Sequence, residues 1–125
     1  MTHTDSLPTT ASVTAWVSDY LKAWRSNSRT DIAALFTDDA EYHETPYETE
    51  WIGRDEIVDG WRSRWDWQKG GWTFEWSISD ISGPTVLITG IGHYTELGDF
   101  NNAWTVTFDD SGRASRFEMV NTERT

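Results

Sequence analysis

Apolar residues recur at three- and four-residue steps near the start of the chain, at Val13, Trp16, Val17, Tyr20 and Trp24. That spacing lines one face of an amphipathic helix, since residues three or four apart stack on one side of a 3.6-residue turn. Thr9, Thr10 or Ser12 can cap its start, and Ser26-Asn27-Ser28 ends it. A shorter helix is predicted from a Thr30 or Asp31 cap through Ile32, Leu35 and Phe36, stopping at Thr37-Asp38-Asp39. Ala40 to Tyr47 then reads as a strand, with Ala40, Tyr42 and Glu44 on one side and Glu41, His43 and Thr45 on the other. Pro46 should end its pairing or place it at a sheet edge. After Gly53 a third helix sets Ile57, Val58, Trp61 and Trp65 along one stripe, with Gly60 inside it as an unfavourable helix residue.

Beyond Gly70-Gly71 the period falls to two. Trp72, Phe74, Trp76 and Ile78 alternate strictly with Thr73, Glu75, Ser77 and Ser79, which fits no helix. Ser82-Gly83-Pro84 turns the chain into a β run from Val86 to Leu97, whose Gly90 and Gly92 predict a bulge or sharp bend. Two more strands follow, Ala103 to Phe108 and Arg113 to Asn121, joined through Asp109-Asp110-Ser111-Gly112. The order is helix, helix, strand, helix, then four antiparallel strands. It predicts an α+β fold: a cone-shaped, curved antiparallel sheet wrapped on three N-terminal helices. Residues 1–9 are polar and broken by Pro8, and read as a flexible leader to a single domain over residues 10–125.

Composition narrows what such a domain does. A chain of 125 residues supports one real core. Nine Trp, five Phe and four Tyr put much of that core into large rings, which suit a cavity wall as well as a solid interior. The net charge of −11, with no run of Lys or Arg, argues against nucleic-acid binding through phosphates. No segment approaches the roughly 20 apolar residues that span a bilayer, and no basic leader precedes an apolar stretch, so a cytoplasmic protein without membrane association is the default expectation. With no Cys, disulfides and thiolate chemistry are excluded. The three His form no H-x-H or H-x-x-x-H pair, so no metal site is expected, nor any cofactor.

Three stretches carry a family resemblance: Leu35-Phe36-Thr37-Asp38-Asp39-Ala40, Trp51-Ile52-Gly53-Arg54-Asp55-Glu56-Ile57, and Val106-Thr107-Phe108-Asp109-Asp110-Ser111-Gly112-Arg113. In order and spacing the chain resembles the nuclear transport factor 2-like superfamily, in its SnoaL-like and ketosteroid-isomerase-like branch. The resemblance implies a cystatin-like α+β barrel, a fold that hosts isomerases, dehydratases, epoxide hydrolases, cyclases and pure binders, so it implies a fold more sharply than a reaction. It implies Tyr20 at the oxyanion-stabilising position and Glu44 at the position of the carboxylate base. The isomerases' second oxyanion donor is a buried protonated acid. Here Trp104 stands in its place and offers only an indole N–H. Asn121 replaces an aromatic residue at the pocket end of the last strand, and Met119 lies where relatives often carry a carboxylate.

These residues make a testable site. Glu44 and Tyr20 are the sharpest pair, the carboxylate moving a proton and the phenol steadying the oxyanion that forms. The bland alternative is a carboxylate at an open rim and a Tyr bonded to backbone. His93 is a further acid–base candidate if it faces inward, and a core His satisfied by a backbone carbonyl otherwise; either parity fits the glycine-rich strand. His43 should point away from Glu44. Trp16, Tyr42, Trp61, Trp65, Trp76, Trp104, Phe117, Met119 and Asn121 are the expected ligand-binding wall, with Trp104 and Asn121 orienting the ligand. The expected partner is a small apolar molecule bearing one or two oxygens. A homodimer through the outer sheet face, with Thr73, Ser77, Thr105 and Thr107, is implied by the resemblance. The leading function is proton-transfer isomerisation, dehydration or cyclisation, against a non-catalytic binding or dimeric interaction protein of the same fold.

Overall fold

The computed structural model describes residues 7–45 and 49–123. The first helix, α1 (Thr10–Ser26), starts where Thr9 and Ser12 cap each other's backbone N–H groups. It stops where Asn27 takes a left-handed conformation. Its buried face is Val13, Trp16, Val17, Tyr20 and Ala23, the stripe that the sequence spacing predicts. Thr9 is thus the helix cap, while residues 1–6 of the expected leader lie outside the described residues, as does Pro46.

Helix α2 (Arg29–Ala33) is shorter than its sequence pattern, capped by Ser28, and buries Ile32. Leu35 and Phe36 fall beyond it, because strand β1 (Phe36–Thr45) already begins at Phe36. A short strand that the pattern hides, β2 (Thr49–Ile52), pairs antiparallel with β1 and sets Tyr42 opposite Trp51 and Glu44 opposite Thr49. Helix α3 (Arg54–Ser63) buries Ile57, Val58 and Trp61 and ends in a 3₁₀ turn, Trp65–Gln68. Gly60 is required within it, because a Cβ there would stand 2.2 Å from the ring of Trp51.

Strands β3 (Trp72–Ser82), β4 (Thr85–Tyr94), β5 (Gly98–Phe108) and β6 (Ala114–Glu123) form an antiparallel meander. The six strands make one curved, unclosed sheet in the order β2-β1-β6-β5-β4-β3. Strand β1 runs parallel to β6, so the sheet is mixed, where the sequence predicts an antiparallel one. The ladder passes regularly through Gly90 and Gly92; the irregularity expected there lies instead between Ile78 and Asp80 on β3. Gly90 serves a different purpose, since a Cβ on it would come within 2.4 Å of the Phe74 ring. The three helices cover one face of the sheet, and the core between them is dominated by stacked and edge-on rings.

Candidate functional site

The inner faces of the strands and the first and third helices enclose a cavity of about 70 Å³. A buried water needs roughly 10–15 Å³ of such volume, so the space takes a few waters or the reacting end of a small molecule. Tyr20 enters from α1, Tyr42 and Glu44 from β1, Trp61 from α3, and Trp104 and Asn121 from β5 and β6. Trp67 and Trp72 complete the wall beside the 3₁₀ turn. There Gln68 donates to the backbone carbonyl of Trp24 and accepts from Trp72 Nε1 at 2.8 Å, tying α1 to β3.

Among the described residues Glu44 is the buried charged residue of the core, 3% exposed. Its Oε1 accepts from Arg64 in an ion pair, and its Oε2 accepts from Asn121 Nδ2 at 2.6 Å. Behind Asn121 the hydrogen bonds continue in one sense. Asn102 Nδ2 donates to Asn121 Oδ1 at 2.8 Å, and Trp104 Nε1 donates to Asn102 Oδ1 at 3.1 Å. Strand register explains the row, since Asn102 pairs with Asn121 across β5 and β6, and Glu44 pairs with Met119 on β6. Three adjacent strands thus aim one relay of donors at a single carboxylate.

Arg64 is held as tightly as its partner. Its guanidinium lies 4.6 Å from the ring centre of Trp51 and 4.4 Å from that of Trp67, and Nη2 donates to Thr49 Oγ1 at 2.8 Å. Strand β2 supplies both Thr49 and Trp51, so this short strand builds the slot in which the cation sits. A carboxylate buried without a partner would be costly, and the guanidinium compensates it.

The hydroxyls of Tyr20 and Tyr42 lie 3.3 Å apart. The Phe117 ring stacks against both, at 5.5 Å and 4.8 Å. Burial pushes the Tyr20 hydroxyl well above its usual range, helped by Tyr42 and by the negative charge of Glu44. Burial does the same for Tyr42, with Glu44 next, and moves the Tyr94 hydroxyl up to about 12. All three phenols are therefore protonated donors at neutral pH.

The structure gathers Glu44, Tyr20, Tyr42, Trp61, Trp104, Met119 and Asn121 around the cavity and leaves other expected residues out of its wall. His93 stands on the outer face of β4, paired with Glu75 Oε2 at 2.7 Å and Asp99 Oδ1 at 3.0 Å. These two carboxylates raise its pKa, but it cannot reach the cavity. The reason is the regular ladder through Gly90 and Gly92, which gives His93 the outward parity of Thr89 and Ile91. Trp65 is 51% exposed because α3 has already ended. Trp16 is core, donating to the Leu35 carbonyl at 3.1 Å. Phe117 lies behind the two tyrosines, and Trp76 packs at the edge of the core. Trp104, expected to orient a ligand, already spends its N–H on Asn102.

Sequence reasoning missed Arg64 and Asn102. Both carried a signal: Arg64 continues the buried Ile57–Trp61 stripe three residues on, and Asn102 precedes Trp104 by two on the same face of β5.

Solved structures share this architecture. A protein of unknown function with a cystatin-like fold from Methylobium petroleophilum PM1 superposes with a TM-score of 0.75 at 17% identity, over 95% of this chain and 81% of that one. A ketosteroid isomerase-like protein from Erwinia carotovora atroseptica SCRI1043 gives 0.64 at 16%, over 92% and 97%. An M. tuberculosis LEH-like epoxide hydrolase gives 0.64 at 21%, over 92% and 86%. At such identities these likenesses establish the fold alone. Among curated proteins none matches the chain significantly. The SnoaL-like domain family, however, matches residues 17–124, nearly the whole described fold. The chain therefore belongs to the SnoaL-like domain family, within the nuclear transport factor 2-like superfamily.

Proposed function

We propose that this protein is an enzyme that transfers a proton on a small, largely apolar, oxygen-bearing substrate held in the aromatic cavity. The observation that carries the reading is Glu44: a carboxylate 3% exposed, aimed into a ring-lined cavity and fixed there by Arg64 and Asn121. A carboxylate has about four lone-pair directions, and two hydrogen bonds leave capacity to take a proton. Arg64 and Asn121 hold the carboxylate in one orientation, with its remaining lone-pair directions available to a substrate C–H beside a carbonyl. Tyr20 supplies a protonated phenol for the oxygen on which charge develops.

The free volume of about 70 Å³ favours a single-ring or short-chain substrate, or one end of a larger one. That volume is well below the roughly 300–1,000 Å³ of pockets that enclose drug-sized ligands. Isomerisation, dehydration and cyclisation all begin with such a proton transfer. A non-catalytic binder is the alternative, supported by the same cavity. Turnover of small ketones, enones and hydroxyketones by the wild-type chain and by Glu44→Gln, with binding read from tryptophan fluorescence, separates them. The enzyme reading expects Glu44→Gln to lose about 10²–10⁴-fold in rate while it still binds. Binding without turnover in the wild type, across the panel, supports the binder.

A further inference from the structure

Two indole N–H groups of cavity-lining residues, those of Trp24 and Trp61, are buried without a hydrogen-bond partner among the described residues; Trp24 has the Tyr94 phenol as its neighbour, and Trp61 has Tyr20 and Tyr42. Trp61, on α3, is 1% exposed, and its Nε1–H is buried with no hydrogen-bond partner among the described residues. Buried indole N–H groups ordinarily find an acceptor, so an orphan in a cavity wall asks for one from outside the chain. The neighbouring tyrosines make the same demand. One hydrogen bond joins the hydroxyls of Tyr20 and Tyr42, which uses one of their two O–H protons. Neither hydroxyl has another hydrogen-bond partner among the described residues. The Tyr20 ring lies 4.7 Å from that of Trp61, edge-on, and the Tyr42 ring 6.4 Å from it. The built-in acceptor of the cavity, Glu44, takes one hydrogen bond on each oxygen, from Arg64 and Asn121, and none from Trp61, Tyr20 or Tyr42 among the described residues.

We propose that Trp61 Nε1–H and the spare hydroxyl proton of the Tyr20–Tyr42 pair together bind one neutral carbonyl oxygen of the ligand. Neutral donors beside a carboxylate suit a ligand that arrives uncharged. The inference rests on the reading that the cavity receives a ligand, but not on Glu44 moving a proton. It assigns Trp61, rather than Trp104, as the indole that meets the substrate.

Nine Trp give nine indole N–H signals in a ¹H–¹⁵N correlation spectrum of the full chain, assignable through bonds without any substitution in the core. The probes are cyclohexanone and methylenecyclohexane, which share a shape and differ in the acceptor. The expected result is a saturable downfield shift of the Trp61 indole proton with the ketone, no such shift with the hydrocarbon, and about tenfold tighter binding of the ketone. Equal affinities, a Trp61 signal that stays put while other cavity signals titrate, or no saturation by either probe overturns the proposal. Repeating the titration on Glu44→Gln separates the two readings. A persisting Trp61 shift upholds the donor even if proton transfer fails, whereas wild-type turnover with an unresponsive Trp61 sinks the donor alone.

Discussion

Replacing Arg64 by Met removes a charge from the cavity wall while keeping much of its apolar stem. Glu44 is 3% exposed and Arg64 13%, so water cannot take over the pairing without the wall opening. Removing one partner of a buried ion pair costs about 3–5 kcal/mol, because the other is left uncompensated. The same change also ends the contacts with Trp51 and Trp67, each worth about 0.5–1 kcal/mol or more, which Met packing restores in part. Against a total stability of about 5–15 kcal/mol, that is a large share. With a urea slope of about 2 kcal/mol/M, the unfolding midpoint should fall by roughly 2 M. Glu44→Gln keeps the acceptor for Asn121 and should cost less. The double variant should recover about 2 kcal/mol of the summed single losses, since the two groups are directly coupled. A loss below about 1 kcal/mol for Arg64→Met, with an additive double variant, would be the behaviour of an exposed pair and would refute the reasoning.

Gly60→Ala should destabilise the fold by about 1–3 kcal/mol despite the better helix propensity of Ala, since its Cβ would stand 2.2 Å from the Trp51 ring. Near-ultraviolet circular dichroism should change with it, and a stabilised variant would contradict the packing. Tyr20→Phe should lower kcat by about 10²–10³-fold with the fold intact, and an unchanged kcat would remove Tyr20 from the chemistry. Glu75 and Asp99 raise the pKa of His93 above its usual 6.5, so the folded state binds that proton more tightly than the unfolded state. The resulting stability is fully present below about pH 6.5 and is lost as pH rises through the raised value. Urea midpoints of His93→Gln and the wild type should therefore converge at high pH, with equal turnover. A difference that widens with pH reverses the sign and rejects the assignment.

The legible parts of this fold are those whose signal is local. Helix α1 carries both its stripe and its caps in sequence, and β3 its strict alternation. Strand β2 has neither: it is four residues long, and its apolar pair, Trp51 and Ile52, is adjacent rather than alternating. The parallel pairing of β1 with β6 joins distant parts of the chain and leaves no local trace. That pairing nevertheless puts Asn121 beside Glu44, so the relay could not be read even though both residues were candidates. His93 failed for a subtler reason. Two glycines in a strand signal either a bulge or a close approach, and here Gly90 makes room for Phe74, leaving the parity of the strand unbroken. Arg64 shows that a charged residue on a buried stripe is itself a signal, because burial demands a partner and only a carboxylate inside the cavity can supply it.

The central claim is that Glu44 removes a proton from a substrate inside the cavity. Deuterium wash-in tests it without knowledge of the natural substrate or product. Small cyclic ketones incubated with the protein in D₂O should gain deuterium next to the carbonyl, by mass spectrometry, at a rate proportional to wild-type protein and lost in Glu44→Gln. Equal incorporation with the wild type and Glu44→Gln, for ketones shown to occupy the cavity, would contradict it.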